Sequence, residues 1–196
     1  QTRIKMTLEI FLNKLLGLGV LVLHIVLALS FIIWVYHKSL KKTGKKMPGF
    51  IYNIRNFIQA NSMLFAFLLV LGATVGSLIY SEIIGLPPCD LCWYQRAFVY
   101  SQVVILLVAL IKKNKEIFDY VAGLNVLGII IAGYQYFMQM ISYSGPCPVS
   151  GGIDCFAKDV LEFGYITLPL MSLTIFVLVI VLTWMAKKEK NVEHDE

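Results

Sequence analysis

Five apolar stretches, at residues 15–36, 60–79, 97–111, 120–141 and 166–186, constrain this chain more than any other feature. A helix needs about 20 apolar residues to cross the hydrocarbon core of a bilayer. Inside that core each backbone N–H and C=O must be bonded within the segment or closed into a barrel. Hydrophobic residues make up 58% of the 196 and charged residues only 15%, which leaves no room for a separate soluble domain. The expected fold is an all-α integral membrane protein, a four-helix transmembrane bundle with one extra N-terminal transmembrane helix. The third stretch is short, and its outer end has to borrow residues near 92–96.

Charge sets the expected orientation. Lys38, Lys41, Lys42, Lys45, Lys46 and Arg55 follow the first stretch. Lys112, Lys113 and Lys115 lie between the third and fourth, and Lys187, Lys188 and Lys190 follow the fifth. These blocks fall on alternate sides of successive spans, as they do when all of them are cytoplasmic. The net charge of +5 is therefore a topology signal, and the blocks lack the aromatic interleaving of a nucleic-acid surface. The C-terminus is expected to be cytoplasmic and the N-terminus extracytoplasmic. Arg3, Lys5 and Lys14 precede the first stretch, but more basic residues follow it. That stretch is too long for a signal peptide, and no small-residue cleavage pattern follows it. Gln1 stands where an initiator methionine is expected, which reads as a trimmed chain.

Residues 1–58 are expected to form the N-terminal transmembrane helix and a basic cytoplasmic linker, and residues 59–196 the four-helix membrane domain. Phe50, Ile51, Ile54, Phe57 and Ile58 follow helical spacing and predict a short interfacial helix. Gly72 with Gly76, and Gly128 with Ala132 and Gly133, read as close helix–helix packing. His24, in mid-span, reads as a neutral helix contact against the alternative of a proton relay or haem ligand. Glu82 reads as an interfacial cap rather than a proton acceptor. Trp34, Trp93 and Trp184 read as interfacial anchors.

The chemistry lies in two loops expected on the oxidising side. Cys89-Asp90-Leu91-Cys92 stands at the mouth of the third span, and Cys147 and Cys155 lie in the loop between the fourth and fifth. Three readings compete. A structural disulfide suits Cys147 with Cys155 but suits the CxxC poorly, because so small a ring removes little unfolded-state entropy. A four-cysteine zinc site has to gather pairs separated by two membrane spans, in a compartment that oxidises thiols. The third reading is thiol–disulfide exchange. A helix starting near Cys92 puts that sulfur at a positive dipole end, and Arg96 follows one turn later; both favour its thiolate. Pro87 and Pro88 suit the first turn of that helix. No metal is expected.

Pro88-Cys89-Asp90-Leu91-Cys92-Trp93-Tyr94-Gln95-Arg96 resembles the signature of the DsbB/BdbC family of disulfide bond formation proteins. The resemblance continues through Gly145-Pro146-Cys147, Asp154-Cys155 and Phe163-Gly164-Tyr165-Ile166-Thr167-Leu168-Pro169, and covers about residues 60 to 186. It implies a thiol:quinone oxidoreductase of the bacterial cytoplasmic membrane that reoxidises an extracytoplasmic thioredoxin-fold oxidase of the DsbA/BdbD kind. The implied cofactor is a ubiquinone or menaquinone. By the same resemblance, Cys147 receives the partner's attack, Cys155 exchanges with Cys89, Cys92 donates to the quinone, and Arg96 stabilises that thiolate and polarises the ring. A partner near about −120 mV needs an acceptor stronger than an ordinary dithiol, and a quinone is one.

The chain departs from that pattern in three places. Its second cysteine loop is short. Gln135, Met138 and Gln139 stand where some members carry a histidine near the quinone, which makes Gln135 and Met138 the candidate quinone contacts. The first helix falls outside the resemblance. The rival readings are a non-enzymatic scaffold or transporter subunit with two structural disulfides, and a reductase that runs electrons inward.

Overall fold

The computed structural model describes residues 2–42, 49–113, 117–143 and 154–193. Six α-helices account for nearly all of them: α1 (Thr2–Lys42), α2 (Gly49–Ala60), α3 (Ser62–Leu78), α4 (Asp90–Lys112), α5 (Phe118–Met140) and α6 (Leu168–Glu193). Among the described residues five helical segments are long and apolar enough to span a membrane: Met6–Ile33, Ser62–Ile84, Asp90–Lys112, Asp119–Met140 and Leu168–Ala186. The chain is thus an all-α, multi-pass membrane protein, four bundled spans and an additional N-terminal one.

The bundle is a ring in which α3 packs on α4, α4 on α5, α5 on α6 and α6 back on α3. Lipid tails are as apolar as leucine, so such helices are held by close packing and interhelical hydrogen bonds rather than by exclusion of water. Both devices are present. Ala66, Val70, Leu106, Val121, Ala132, Phe176 and Val179 form the core. A Cβ at Gly128 would lie 2.5 Å from the Phe176 ring, so only glycine lets α5 and α6 approach this closely. Asn125 of α5 donates to Gln102 Oε1 of α4 at 2.8 Å, at a fully buried position.

The helix expected over 50–58 is α2, which leaves Phe50, Tyr52 and Phe57 exposed and buries none of its side chains. Span three does reach back past residue 92, because Cys89 itself caps α4. Pro87 and Pro88 therefore lie just outside the helix rather than in its first turn. Span two continues beyond Leu78 as a π-helical segment, Ile79–Ile84, and turns out at Gly85 with φ +89°, a conformation that costs glycine little.

The first helix lies against the end of the bundle that carries the CxxC. Tyr80 donates its hydroxyl to Asn13, and Val20 is buried among Ile166 and Leu170. His24 meets Thr174 Oγ1 through Nε2 at 2.8 Å and Tyr165 Oη through Nδ1 at 3.3 Å. Thr174 already donates its hydroxyl proton to the Leu170 carbonyl, so it accepts from the Nε2–H of His24. These partners fit the helix-contact reading of His24. Glu82 is exposed and touches Ser81, and Trp93 and Trp184 are more than half exposed, as anchors at a bilayer surface would be.

Candidate functional site

Cys89 is the N-cap of α4, with extended backbone, and its sulfur accepts from the Cys92 amide at 3.4 Å. Cys92 thereby sits in the first turn, where unpaired amides and the helix dipole favour a negatively charged sulfur. The two thiols are 2.7 Å apart, a small adjustment away from the roughly 2.05 Å of a disulfide. The hydrogen bond shared with the Cys92 sulfur holds the Cys89 thiol protonated far above its ordinary range, and burial pushes in the same direction.

Beneath the two sulfurs lies Gln135 of α5, only 2% exposed. Its amide nitrogen donates to the Cys155 carbonyl at 2.8 Å and faces the Cys89 and Cys92 sulfurs at 3.4 and 3.7 Å. Its oxygen accepts from Gln95 Nε2 of α4 at 2.7 Å, which fixes which way the amide points. One turn on, Gln139 donates to the Ala157 carbonyl at 2.8 Å. Two glutamines of one helix face thus hold the backbone of the second cysteine loop down on the CxxC.

That loop is shaped to be held. Asp154 accepts from the Phe156 amide at 2.9 Å, a local turn that aims Cys155 and Phe156 inward. Phe156 packs edge-on against Tyr143 and Tyr134. Cys89, Leu91, Cys155 and Phe156 make one buried cluster, against which Cys92, Ile131 and Met138 pack. Cys155 is disulfide-bonded. Cys147 lies outside the described residues. A tight return at Glu162–Ile166, closed by two backbone bonds of 2.9 Å, then leads into α6.

Arg96 lies on the same face of α4 as Cys92. Its guanidinium donates to the Ser77 carbonyl of α3 at 3.0 Å and sits 5.4 Å from the centre of the Trp93 ring. The charge is thus pinned between α3 and α4 at the edge of a cavity of about 380 Å³, whose polar end is made by Cys89, Cys92, Gln95, Arg96, Gln135 and Gln139. Met138 packs on the cysteine cluster from the side and does not line this cavity.

Two further polar atoms belong to the wall. Tyr100 Oη, on α4 one turn beyond Arg96, and Gln139 Oε1 are buried with no hydrogen-bond partner among the described residues, and both residues line the cavity. An unpaired buried hydroxyl or amide oxygen costs about 1–3 kcal/mol, so these atoms suit a ligand bearing carbonyl and hydroxyl groups. Gln95 and Tyr100 were not singled out from the sequence as site residues. Their signal was polarity within an apolar span at i+3 and i+8 from Cys92, the spacing of one helix face.

The sequence model of the family described as disulfide bond formation protein DsbB matches residues 59–186. The chain is 43% identical over 124 residues to the SPbeta prophage-derived disulfide bond formation protein B of Bacillus subtilis, a match covering 63% of this chain and 82% of that protein. It is 36% identical over 120 residues to disulfide bond formation protein C of the same organism, covering 61% and 87%. A probable disulfide formation protein of Coxiella burnetii is 34% identical over 122 residues, covering 61% and 83%. No solved structure matches.

Proposed function

The chain belongs to the DsbB family of disulfide bond formation proteins, and from that membership we propose that it draws electrons from an extracytoplasmic thioredoxin-fold dithiol oxidase and delivers them to a membrane quinone. Its thiol oxidoreductase activity is that of the family. The observation that carries the finer reading is Gln135, whose one amide group bonds the Cys155 backbone and faces both CxxC sulfurs at the mouth of the cavity.

In this reading a reduced partner's thiolate attacks Cys147. The Cys147–Cys155 bond breaks, a partner–Cys147 disulfide forms, and Cys155 leaves as a thiolate. Cys155 attacks Cys89, forming Cys89–Cys155 and releasing Cys92 as a thiolate. The partner's second thiol resolves the mixed disulfide and departs oxidised, and Cys147 then re-forms its bond to Cys155, leaving Cys89 and Cys92 reduced. A bound quinone supplies the terminal acceptor for two electrons and two protons. The chain's own task is then to hold the acceptor against Cys92 and re-form Cys89–Cys92. Arg96, Gln135, Gln139 and Tyr100 are the residues that would hold it: the Arg96 guanidinium and the Tyr100 hydroxyl can donate to the carbonyl oxygens of the oxidised ring, and Gln139 Oε1 can accept from a hydroxyl of the reduced one. Arg96 and Tyr100 are four residues apart on one face of α4, about 6 Å along the axis, so the two side chains can reach different groups of one ligand.

The basic blocks support an orientation with both cysteine loops outside and the C-terminus in the cytoplasm. The test is direct. Purified protein is mixed with a reduced thioredoxin-fold oxidase and a short-chain ubiquinone or menaquinone, and quinone absorbance is followed. Quinone consumption matched one-for-one by partner disulfide is expected. Oxidation of the partner with no quinone consumed, or no thiol dependence at all, would rule the reading out.

A further inference from the structure

The family match begins at residue 59, so α1 lies outside it, yet α1 builds one wall of the cavity that holds Cys92. Leu16, Gly19 and Leu23 of α1 face Leu69 and Gly72 of α3 across that space. The cavity is polar at the cysteines and apolar here. At about 380 Å³ it lies within the size range of small-molecule sites.

The glycines keep this apolar end wide. Gly72 reads from sequence as a helix-packing residue, but a Cβ built there meets no atom within 4 Å, and the same is true of Gly19 on the opposite wall. Gly76, one turn along α3, meets only the tip of Leu16, at 3.8 Å. Where a glycine serves helix packing, a neighbour fills the space over it, as the Phe176 ring does at Gly128. Gly19 and Gly72 instead border a slot.

The rotation of α1 about its own axis is fixed on both sides of that slot. Asn13 is bonded to Tyr80 and His24 to Thr174, and Gly19 falls between them. At Gly17 an added Cβ would come within 3.0 Å of the Glu162 side chain, so this part of α1 lies tight against the loop before α6. The opposite face, with Phe11, Leu18, Val22 and Ile25, is about half exposed or more, as a lipid-facing surface is.

We propose that α1 is a specificity-determining element of the quinone site: the slot between Gly19 and Gly72 takes the isoprenoid tail next to the ring, whose carbonyl edge lies at Cys92 and Arg96. This rests on the quinone reading above and adds which part of the acceptor the N-terminal helix recognises. A leucine at position 19 fills the slot and leaves the polar end untouched.

The experiment compares tail-less ubiquinone and menaquinone rings with forms bearing several isoprene units, on the full chain in detergent with a reduced thioredoxin-fold partner. Gly19→Leu is expected to raise KM for the tailed forms by about tenfold or more, the scale on which pockets discriminate hydrocarbon, with KM for the rings unchanged. Unchanged ring turnover also shows that the variant is folded. The second readout is independent of turnover. A quinone with a photoreactive group on its first isoprene unit should label the α1 peptide containing residues 15–23, and Gly19→Leu should suppress that labelling. Wild-type turnover of both classes with labelling confined to α3–α6, or equal KM values in Gly19→Leu, would overturn the role of α1 while leaving the quinone reading intact. Labelling that a tailed quinone fails to displace would assign the slot to a phospholipid acyl chain and overturn it as well. Failure of wild type to reduce any quinone would instead count against the function proposed above.

Discussion

Replacing Cys92 with serine is expected to reduce steady-state quinone reduction by on the order of a thousandfold or more, the scale of losing the reacting nucleophile. Cys92 is the CxxC sulfur in the first turn of α4, and the cavity lies beside it. The loop disulfide is untouched in this variant, so one equivalent of reduced partner should still be oxidised before the reaction stops. Cys147→Ser should give the converse. Partner oxidation disappears, while Cys89–Cys92 reduced by a small dithiol still passes electrons to quinone. Rapid mixing with absorbance detection, followed by counting of free thiols, separates the two outcomes. Cys89→Ser and Cys92→Ser proteins at wild-type rates would sink the relay.

Gln135→Leu should be the most damaging change outside the cysteines. It leaves the Cys155 carbonyl and the Gln95 amide without partners in a buried site, and each unpaired group costs about 1–3 kcal/mol. The loop then has less reason to keep Cys155 against Cys89. Exchange between the two pairs should slow by about 10- to 100-fold, since each 1.36 kcal/mol is a factor of ten in rate. Electron transfer from an already reduced CxxC to quinone should change much less. Acid quench and alkylation at successive times measures the first, and absorbance the second. Equal slowing of both steps would mean that Gln135 acts on the acceptor rather than on the loop.

The spans and the residues of the CxxC helix were legible because apolar length and basic blocks are one-dimensional signals. That α4 had to extend outward to about residues 92–96 was legible for the same reason, since 97–111 alone is too short to span; its start at Asp90, capped by Cys89, was not. Where a residue pointed was harder to read. Gln135 was visible as a polar residue in a span, but not as the hydrogen-bonding centre between Cys155 and the CxxC, because that depends on Gln95 turning its amide. Gly72 and Gly128 carry the same pattern signal. One of them meets Phe176 and the other borders a cavity, and only the neighbouring helix decides which. Met138 and Gln139 are adjacent in sequence and face different surroundings, the cysteine cluster and the cavity. The docking of α1 was not legible at all. Its contacts Asn13, Gly17 and His24 find partners 67 or more residues away.

Electron transfer between the pairs through Cys89 and Cys155 is the central claim, and disulfide mapping tests it most directly. In a Cys92→Ser, Cys147→Ser double variant only those two cysteines remain. Mild oxidation in the membrane, proteolysis under acid and mass spectrometry should find the Cys89 and Cys155 peptides joined in most of the protein, and Gln135→Leu should lower that yield. Recovery of both cysteines as free thiols under conditions that oxidise the wild-type pairs would contradict the account.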